Sequence, residues 1–386
     1  MHKKTFRDKI SKLLDLADIK IQGNRPWDLQ IHNEELFSRV FAGGSLALGE
    51  AYMDGWWDCA SLDEFFSKIL QAGLDRHISS WKEFFAVLHA KLLNLQKPSR
   101  AYQIGRHHYD IGNDLYRCML DRRMIYSCAY WKNAATLDDA QEAKLDLICR
   151  KLGLEAGMRV LDIGCGWGGA AKFAAERYNV NVVGVTVSEE QARFARELCT
   201  GLPVEIRLQD YRDITERFDR IFSMGMFEHV GYKNYRAFMR VVRNCLNVDG
   251  LFLLHTIGGL RSLVKTDPWF RRYIFPNSMI PSAQQICASI EELFVLEDWE
   301  SFGAYYDTTL MHWFHNFHSH WETLHKQYDK RFYRMWKYYL LSSAGSFRAR
   351  DNQLWQLVLS PQGLPGGYQR VTLSDPSGDR KSAHLE

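Results

Sequence analysis

From residue 136 onward the chain alternates between two hydrophobic rhythms. Short β-branched or continuous apolar runs fall at 159–163, 180–185, 204–208, 218–223 and 251–254, with helical spacing of apolar residues between most of them. Continuous apolar strands separated by helices predict a parallel sheet covered on both faces. Thr136 with Asp139 three residues later predicts the cap of a helix that runs through Leu145, Ile148 and Leu152 and stops at Gly153. Two further strands are expected at 294–299 and 353–359. Residues 260–345 are aromatic-rich and largely helical, the pattern of a lid or insertion.

The first 95 residues lack this alternation and read as a smaller, mostly helical N-terminal domain. The first 21 form a small amphipathic helix without the uninterrupted apolar core of a signal peptide. Apolar residues from Trp81 to Leu93 recur at i, i+3, i+4, i+7 and i+11, one broad helical stripe. The polar segment 96–100 contains Pro98 and is expected to be a linker. A catalytic domain over 101–360 and a disordered, Gly- and Pro-rich tail over 361–386 complete the expected organisation.

Composition narrows the function. With 46% hydrophobic, 25% charged and 13% aromatic residues in 386, the chain is a folded protein. A net charge of +3 is too balanced for a dedicated nucleic-acid binder, yet suits contact with an anionic membrane. No apolar run is long enough to cross a bilayer. Eight scattered cysteines without a C-x-x-C pair predict free buried thiols and a reducing, cytoplasmic compartment.

The strongest local signal is the run from Val160 to Gly169, VLDIGCGWGG: a buried strand, a glycine turn, then a helix. Gly164 permits the turn, and Gly166 lets a ligand approach the backbone. A nicotinamide cofactor is disfavoured because no acid follows at the end of the next strand, Val183-Gly184-Val185-Thr186. An acid instead precedes the turn, at Asp162. An acid–hydrophobe–Gly-x-Gly turn resembles the first motif of S-adenosylmethionine-dependent methyltransferases. Asp210 and Tyr211 follow a later strand at the ligand-binding edge, positioned to meet an adenine amino group and cover its ring.

Six ordered segments extend the resemblance: 49–57 (GEAYMDGWW), 126–131 (YSCAYW), 161–169, 226–231 (MFEHVG), 254–258 (LHTIG) and 306–310 (YDTTL). Together they resemble the cyclopropane-fatty-acyl-phospholipid synthases, class I methyltransferases with a Rossmann-like α/β sheet flanked by helices on both faces. The resemblance implies transfer of a methylene from S-adenosylmethionine to the cis double bond of a phospholipid acyl chain, with bound bicarbonate as general base. It implies a bicarbonate pocket at Cys128, Glu228, His255, Ile257 and Tyr306, and cofactor contacts at Tyr126, Ser127, Gly164, Gly166, Thr186, Gln191 and Tyr211. A homodimer peripherally attached to the inner face of the membrane is also implied.

The chemistry makes physical sense. An alkene is a weak nucleophile and needs a strong electrophile held in line; the resulting cation must be kept from water. Tyr305, Tyr306, Trp313, Phe314 and Phe317 offer aromatic faces to steady it. Glu228 is expected to orient the anion as an acceptor, His255 to act as donor or charge partner, Tyr306 as donor, and Cys128 to contribute position. The histidines 312, 315, 318 and 320 drift around a helix without completing a zinc set, so no metal is expected. The segment 269–275 (WFRRYIF), basic and aromatic, is the expected lipid-entry element. Alternatives are the same fold acting on another lipid or small molecule, a non-catalytic lipid-binding module, and, last, a nicotinamide oxidoreductase.

Overall fold

The computed structural model describes residues 2–74 and 112–371. Seven strands make the main sheet: β1 (Arg159–Ile163), β2 (Asn181–Thr186), β3 (Val204–Leu208), β4 (Phe218–Met224), β5 (Leu246–Gly259), β6 (Val295–Ser301) and β7 (Asn352–Ser360). Their order is β3-β2-β1-β4-β5-β7-β6. The first five strands are parallel. β7 then enters between β5 and β6, antiparallel to both, so the expected parallel sheet is mixed at one side. Strand order reverses about β1, which opens a crevice at the carboxyl ends of β1 and β4.

Both faces of the sheet are covered, as continuous apolar strands require. On one face Val160, Leu251, Leu253 and Val358 pack with Leu145, Ile148 and Cys149 of the Leu137–Lys151 helix and with the Gly169–Tyr178 helix. On the other, Leu161, Ile163 and Leu254 pack with Phe238, Met239 and Val242 of the Tyr235–Cys245 helix. The Leu137–Lys151 helix starts where expected: Thr136 Oγ1 accepts from the Asp139 backbone N–H. At its end Gly153 takes a φ of +56°.

The N-terminal residues form helices His2–Leu16, Leu36–Met53 and Leu62–Gln71, plus a two-residue antiparallel ladder of Gln30–Ile31 with Trp57–Asp58. These helices do not enclose a separate core. Tyr52, Trp57, Phe65 and Ile69 join one apolar cluster with Trp313, Trp336, Tyr338 and Phe347 from the helices Ala304–Ser319 and Lys330–Arg348. The expected linker at 96–100 and the 81–93 helix lie outside the described residues.

The structure corrects one expectation and refines another. Residues 361–371 are not a free tail. The Leu364 N–H donates to Glu297, the Tyr368 hydroxyl donates to the Lys151 carbonyl at 3.0 Å, and Arg370 pairs with Asp298 at 3.0 Å. These bonds anchor the segment to edge strand β6 and the helix beside it. In the expected lipid-entry segment, Trp269 and Ile274 are buried. The Trp269 ring lies so close to Gly49 that a Cβ there would strike it. Trp269 is thus a packing element, while Phe270 and Arg271 are half-buried and Arg272 is exposed.

Candidate active site

A cavity of about 1040 Å³ opens where the crevice was expected. Its floor is the glycine turn. Gly164, with φ +86°, passes within the space that only a missing Cβ leaves beside Met226. Above Gly166 a Cβ would meet nothing within 4 Å, so the backbone faces open space that a ligand can enter. Gly169 starts the following helix so close to the Arg123 carbonyl that any side chain would collide with it. This contact ties the turn to the 121–127 loop that carries Tyr126 and Ser127.

Around this floor the cavity wall includes Tyr126, Ser127, Gly164, Gly166, Thr186, Gln191, Asp210 and Tyr211, all expected cofactor contacts. Thr186 Oγ1 donates to Gln191 Oε1 at 3.0 Å, which locks both at the end of β2. The Asp210 carboxylate is already bridged by the Arg212 guanidinium and caps the Tyr211–Asp213 turn. The Tyr211 ring is braced edge-on by Phe238. The Tyr126 and Tyr339 hydroxyls are hydrogen-bonded at 2.7 Å.

Asp162 is the exception. It is buried, absent from the wall, and neither carboxyl oxygen has a hydrogen-bond partner. Side chains alternate along a strand. Ile163 reaches the wall while Asp162 points with Val160 to the face beneath the Leu137–Lys151 helix. Burial there raises its pKa to about 8, opposed by Lys144, so the group is mostly a neutral acid at pH 7. Of the residues that the sequence places at the cofactor turn, Asp162 therefore stands outside the cavity wall.

Deeper in the cavity stand Glu228, Ile257 and Tyr306. Glu228 Oε1 accepts from the Ile257 backbone N–H at 2.7 Å, while Oε2 has no protein partner. Desolvation raises this carboxyl to about 7 despite that hydrogen bond. The Tyr306 phenol, pushed far above its usual pKa by burial and further by Cys128 and Glu228, is a neutral donor. Cys128 and His255 are fully buried and lie behind the wall. The Cys128 thiol donates to the Ala129 carbonyl at 3.2 Å, and burial raises its pKa, so it is not a nucleophile. His255 shares a strand face with Ile257, two residues on. Burial drives its imidazole neutral, and its Nε2 has no protein partner.

The aromatic wall differs from expectation. Tyr306, Tyr338, Tyr339, Phe347, Phe270 and Phe275 line the cavity; Tyr305, Trp313, Phe314 and Phe317 do not. Trp313 sits behind it, packed between Tyr126 and Tyr306. Sequence reasoning also missed His229, which lies on the wall with Nδ1 unpartnered and a pKa lowered by burial to about 4. It missed Lys144 as well, fully buried and donating to Ser127 Oγ at 2.9 Å. Its signal was present: residues 137, 140, 141, 144, 148 and 151 form one stripe of their helix, so Lys144 and Lys151 occupy core positions. Three of the four histidines of 312–320 have partners of their own. His312 stacks on Trp131, His318 bonds the Tyr333 hydroxyl, and His320 bonds the Asn316 carbonyl.

The sheet order, the glycine turn at its switch point and the cofactor-sized wall around that turn define a class I S-adenosylmethionine-dependent methyltransferase. The mycolic acid cyclopropane synthetase family profile matches residues 96–357, and the chain belongs to that family. It is 54% identical over 360 residues to the cyclopropane-fatty-acyl-phospholipid synthase of Escherichia coli K12, covering 93% of this chain and 94% of that one. Among solved structures, the cyclopropane synthase MmaA2 of Mycobacterium tuberculosis superposes with a TM-score of 0.64 at 31% identity, over 69% of this chain and 99% of that one. The mycolic acid cyclopropane synthase CmaA1, solved with SAH and CTAB, does so with a TM-score of 0.63 at 32% identity, over 67% and 97%.

Proposed function

We propose that the enzyme builds cyclopropane rings on unsaturated phospholipid acyl chains, and that bicarbonate held at Glu228, His255, Ile257 and Tyr306 is the general base. The observation that carries the proposal is a pair of buried, unpartnered polar atoms, Glu228 Oε2 on the cavity wall and His255 Nε2 in the layer behind it. Leaving such atoms unmet costs about 1–3 kcal/mol each, which a small polar anion would recover. S-adenosylmethionine over the glycine turn would supply the electrophilic methyl. Bicarbonate would supply the base for the proton that the methylated chain gives up.

The chain's own residues supply the rest. Val40, Leu48, Phe66, Ile69 and Leu70 of the N-terminal helices close one side of the cavity, which suits an acyl chain and excludes water. Tyr306, Tyr339 and Phe347 offer ring faces to positive charge without a nucleophile that would trap it. Glu228, near neutrality in its pKa, can share a proton with an anion rather than repel it. Removing carbon dioxide and bicarbonate from the buffer should slow turnover about tenfold or more, with recovery on adding bicarbonate back. A rate indifferent to bicarbonate would remove the anion from the mechanism.

The same proposal includes peripheral membrane binding, a homodimer and a cytoplasmic location at the inner face of the membrane. Among the described residues no helix is long and apolar enough to cross a membrane. Arg271 lines the cavity mouth with Phe270, and Leu263 beside them is 52% exposed. Arg271→Glu with Arg272→Glu should weaken binding to anionic vesicles by about tenfold or more, read by sedimentation. Unchanged vesicle affinity discards this mouth as the lipid contact. Sedimentation velocity reads the dimer.

A further inference from the structure

We infer that Gln356, clamped by Lys151, is a positioning residue that fixes the tautomer of His255, so that the neutral imidazole accepts at Nδ1 and carries its proton on Nε2. The inference rests on the proposed reading of His255 and Glu228 as partners of one bound anion. It adds that His255 meets the anion as an N–H donor rather than with a lone pair.

The sheet register lays the parts side by side. Met224 of β4 pairs with His255 of β5, His255 with Gln356 of β7, and Gln356 with Glu300 of β6. Directly opposed residues share a face, so these four side chains form one row across the sheet. The Leu137–Lys151 helix crosses above the row and places a buried lysine near each end. Lys144 Nζ approaches Met224 Sδ at 3.7 Å, and Lys151 Nζ donates to both Glu300 and Gln356 Oε1, the latter at 2.8 Å.

Donor bookkeeping then leaves one arrangement. An ammonium has three donors and no acceptor, so the atom of Gln356 that faces Lys151 is the oxygen. The amide NH₂ is therefore turned to His255 Nδ1, at 3.3 Å. An NH₂ group only donates, so Nδ1 must offer its lone pair, and the single proton of a neutral imidazole resides on Nε2. Two neighbouring lysine charges and full burial keep the ring from taking a second proton. Nε2 is the ring atom left without a protein partner. Glu300 anchors the ammonium that starts this chain of donors.

The test is ¹⁵N–¹H two-bond correlation spectroscopy on the full-length chain labelled at histidine, in bicarbonate-free buffer at pH 7. The His255 signals are identified by their absence in His255→Asn. The wild type should show the Nε2–H pattern. Gln356→Glu keeps the shape but replaces the NH₂ with an acceptor, so Nδ1 should gain a proton, and the bicarbonate concentration for half-maximal rate should rise about tenfold. Gln356→Leu should leave a mixture of tautomers. An Nδ1–H pattern or an imidazolium in the wild type overturns the inference without any variant, as does a spectrum that Gln356→Glu leaves unchanged. The expected spectra together with a rate indifferent to bicarbonate would uphold the tautomer assignment while the anion reading falls.

Discussion

Glu228→Gln should lose at least a hundredfold in turnover while the folded protein becomes more heat-stable at pH 8. The substituted amide keeps an oxygen to accept from the Ile257 N–H, so the local backbone is retained. What disappears is the carboxyl that can share a proton with an anion. The stability change follows from the same burial. Folding raises this carboxyl from its ordinary 4.5 to about 7. The folded state therefore binds the proton more tightly than the unfolded one, and stability falls as pH rises between those values. The cost is absent well below pH 4.5 and complete above pH 7, on the order of 3 kcal/mol. The variant escapes it, so its melting temperature should exceed that of the wild type by about 2–5 °C at pH 8 and match it at pH 4.5. Calorimetry at the two pH values checks the sign. Equal melting at pH 8 would mean that Glu228 is not held in a desolvated pocket.

Gly169→Ala should damage both fold and cofactor binding. Its Cβ would be driven into the Arg123 carbonyl oxygen, with the Ile125 Cδ1 at 2.9 Å on the same side. A backbone atom cannot rotate away as a side chain can, so the helix start or the 121–127 loop must shift. Overpacking of this kind costs about 1–3 kcal/mol. The loop carries Tyr126 and Ser127 on the cavity wall, so its movement should also weaken S-adenosylmethionine binding by tenfold or more, measured by titration calorimetry. Gly166→Ala is the informative comparison: its Cβ meets no protein atom, so the fold is strained only by a φ of +54°, and any loss of cofactor affinity comes from the space above the turn and not from the 121–127 loop. Full cofactor affinity in Gly169→Ala would show that the turn and the loop are not mechanically joined.

Much of the fold was legible because buried parallel strands are continuous apolar runs. The starts and ends of β1 and β3 follow the β-branched residues, and the cap at Thr136 follows from one hydroxyl and one spacing. The glycine turn was legible for a different reason: its glycines are dictated by backbone geometry, not by packing preferences. What stayed hidden depended on partners distant in sequence. Asp162 looks like a ligand beside a binding turn, yet strand alternation sends it to the opposite face, where Lys144 is its nearest compensating charge. Trp269 reads as an interfacial aromatic until Gly49, in a different helix, leaves it a place to pack. Tyr338 and Tyr339 reach the cavity only because the Lys330–Arg348 helix lies along it. Gln356 carried no signal as a lone strand residue; its meaning comes from the register that puts it between His255 and Glu300.

The central claim is that this cavity delivers a one-carbon unit to an acyl double bond and then removes a proton to close a ring. The direct measurement is mass analysis of the fatty acids after incubation with S-adenosylmethionine, bicarbonate and vesicles of a cis-monounsaturated phospholipid. The account predicts a gain of one CH₂ that survives mild hydrogenation, the mark of a ring in place of the double bond. A methyl branch, or no change in mass while the cofactor binds normally, would contradict it.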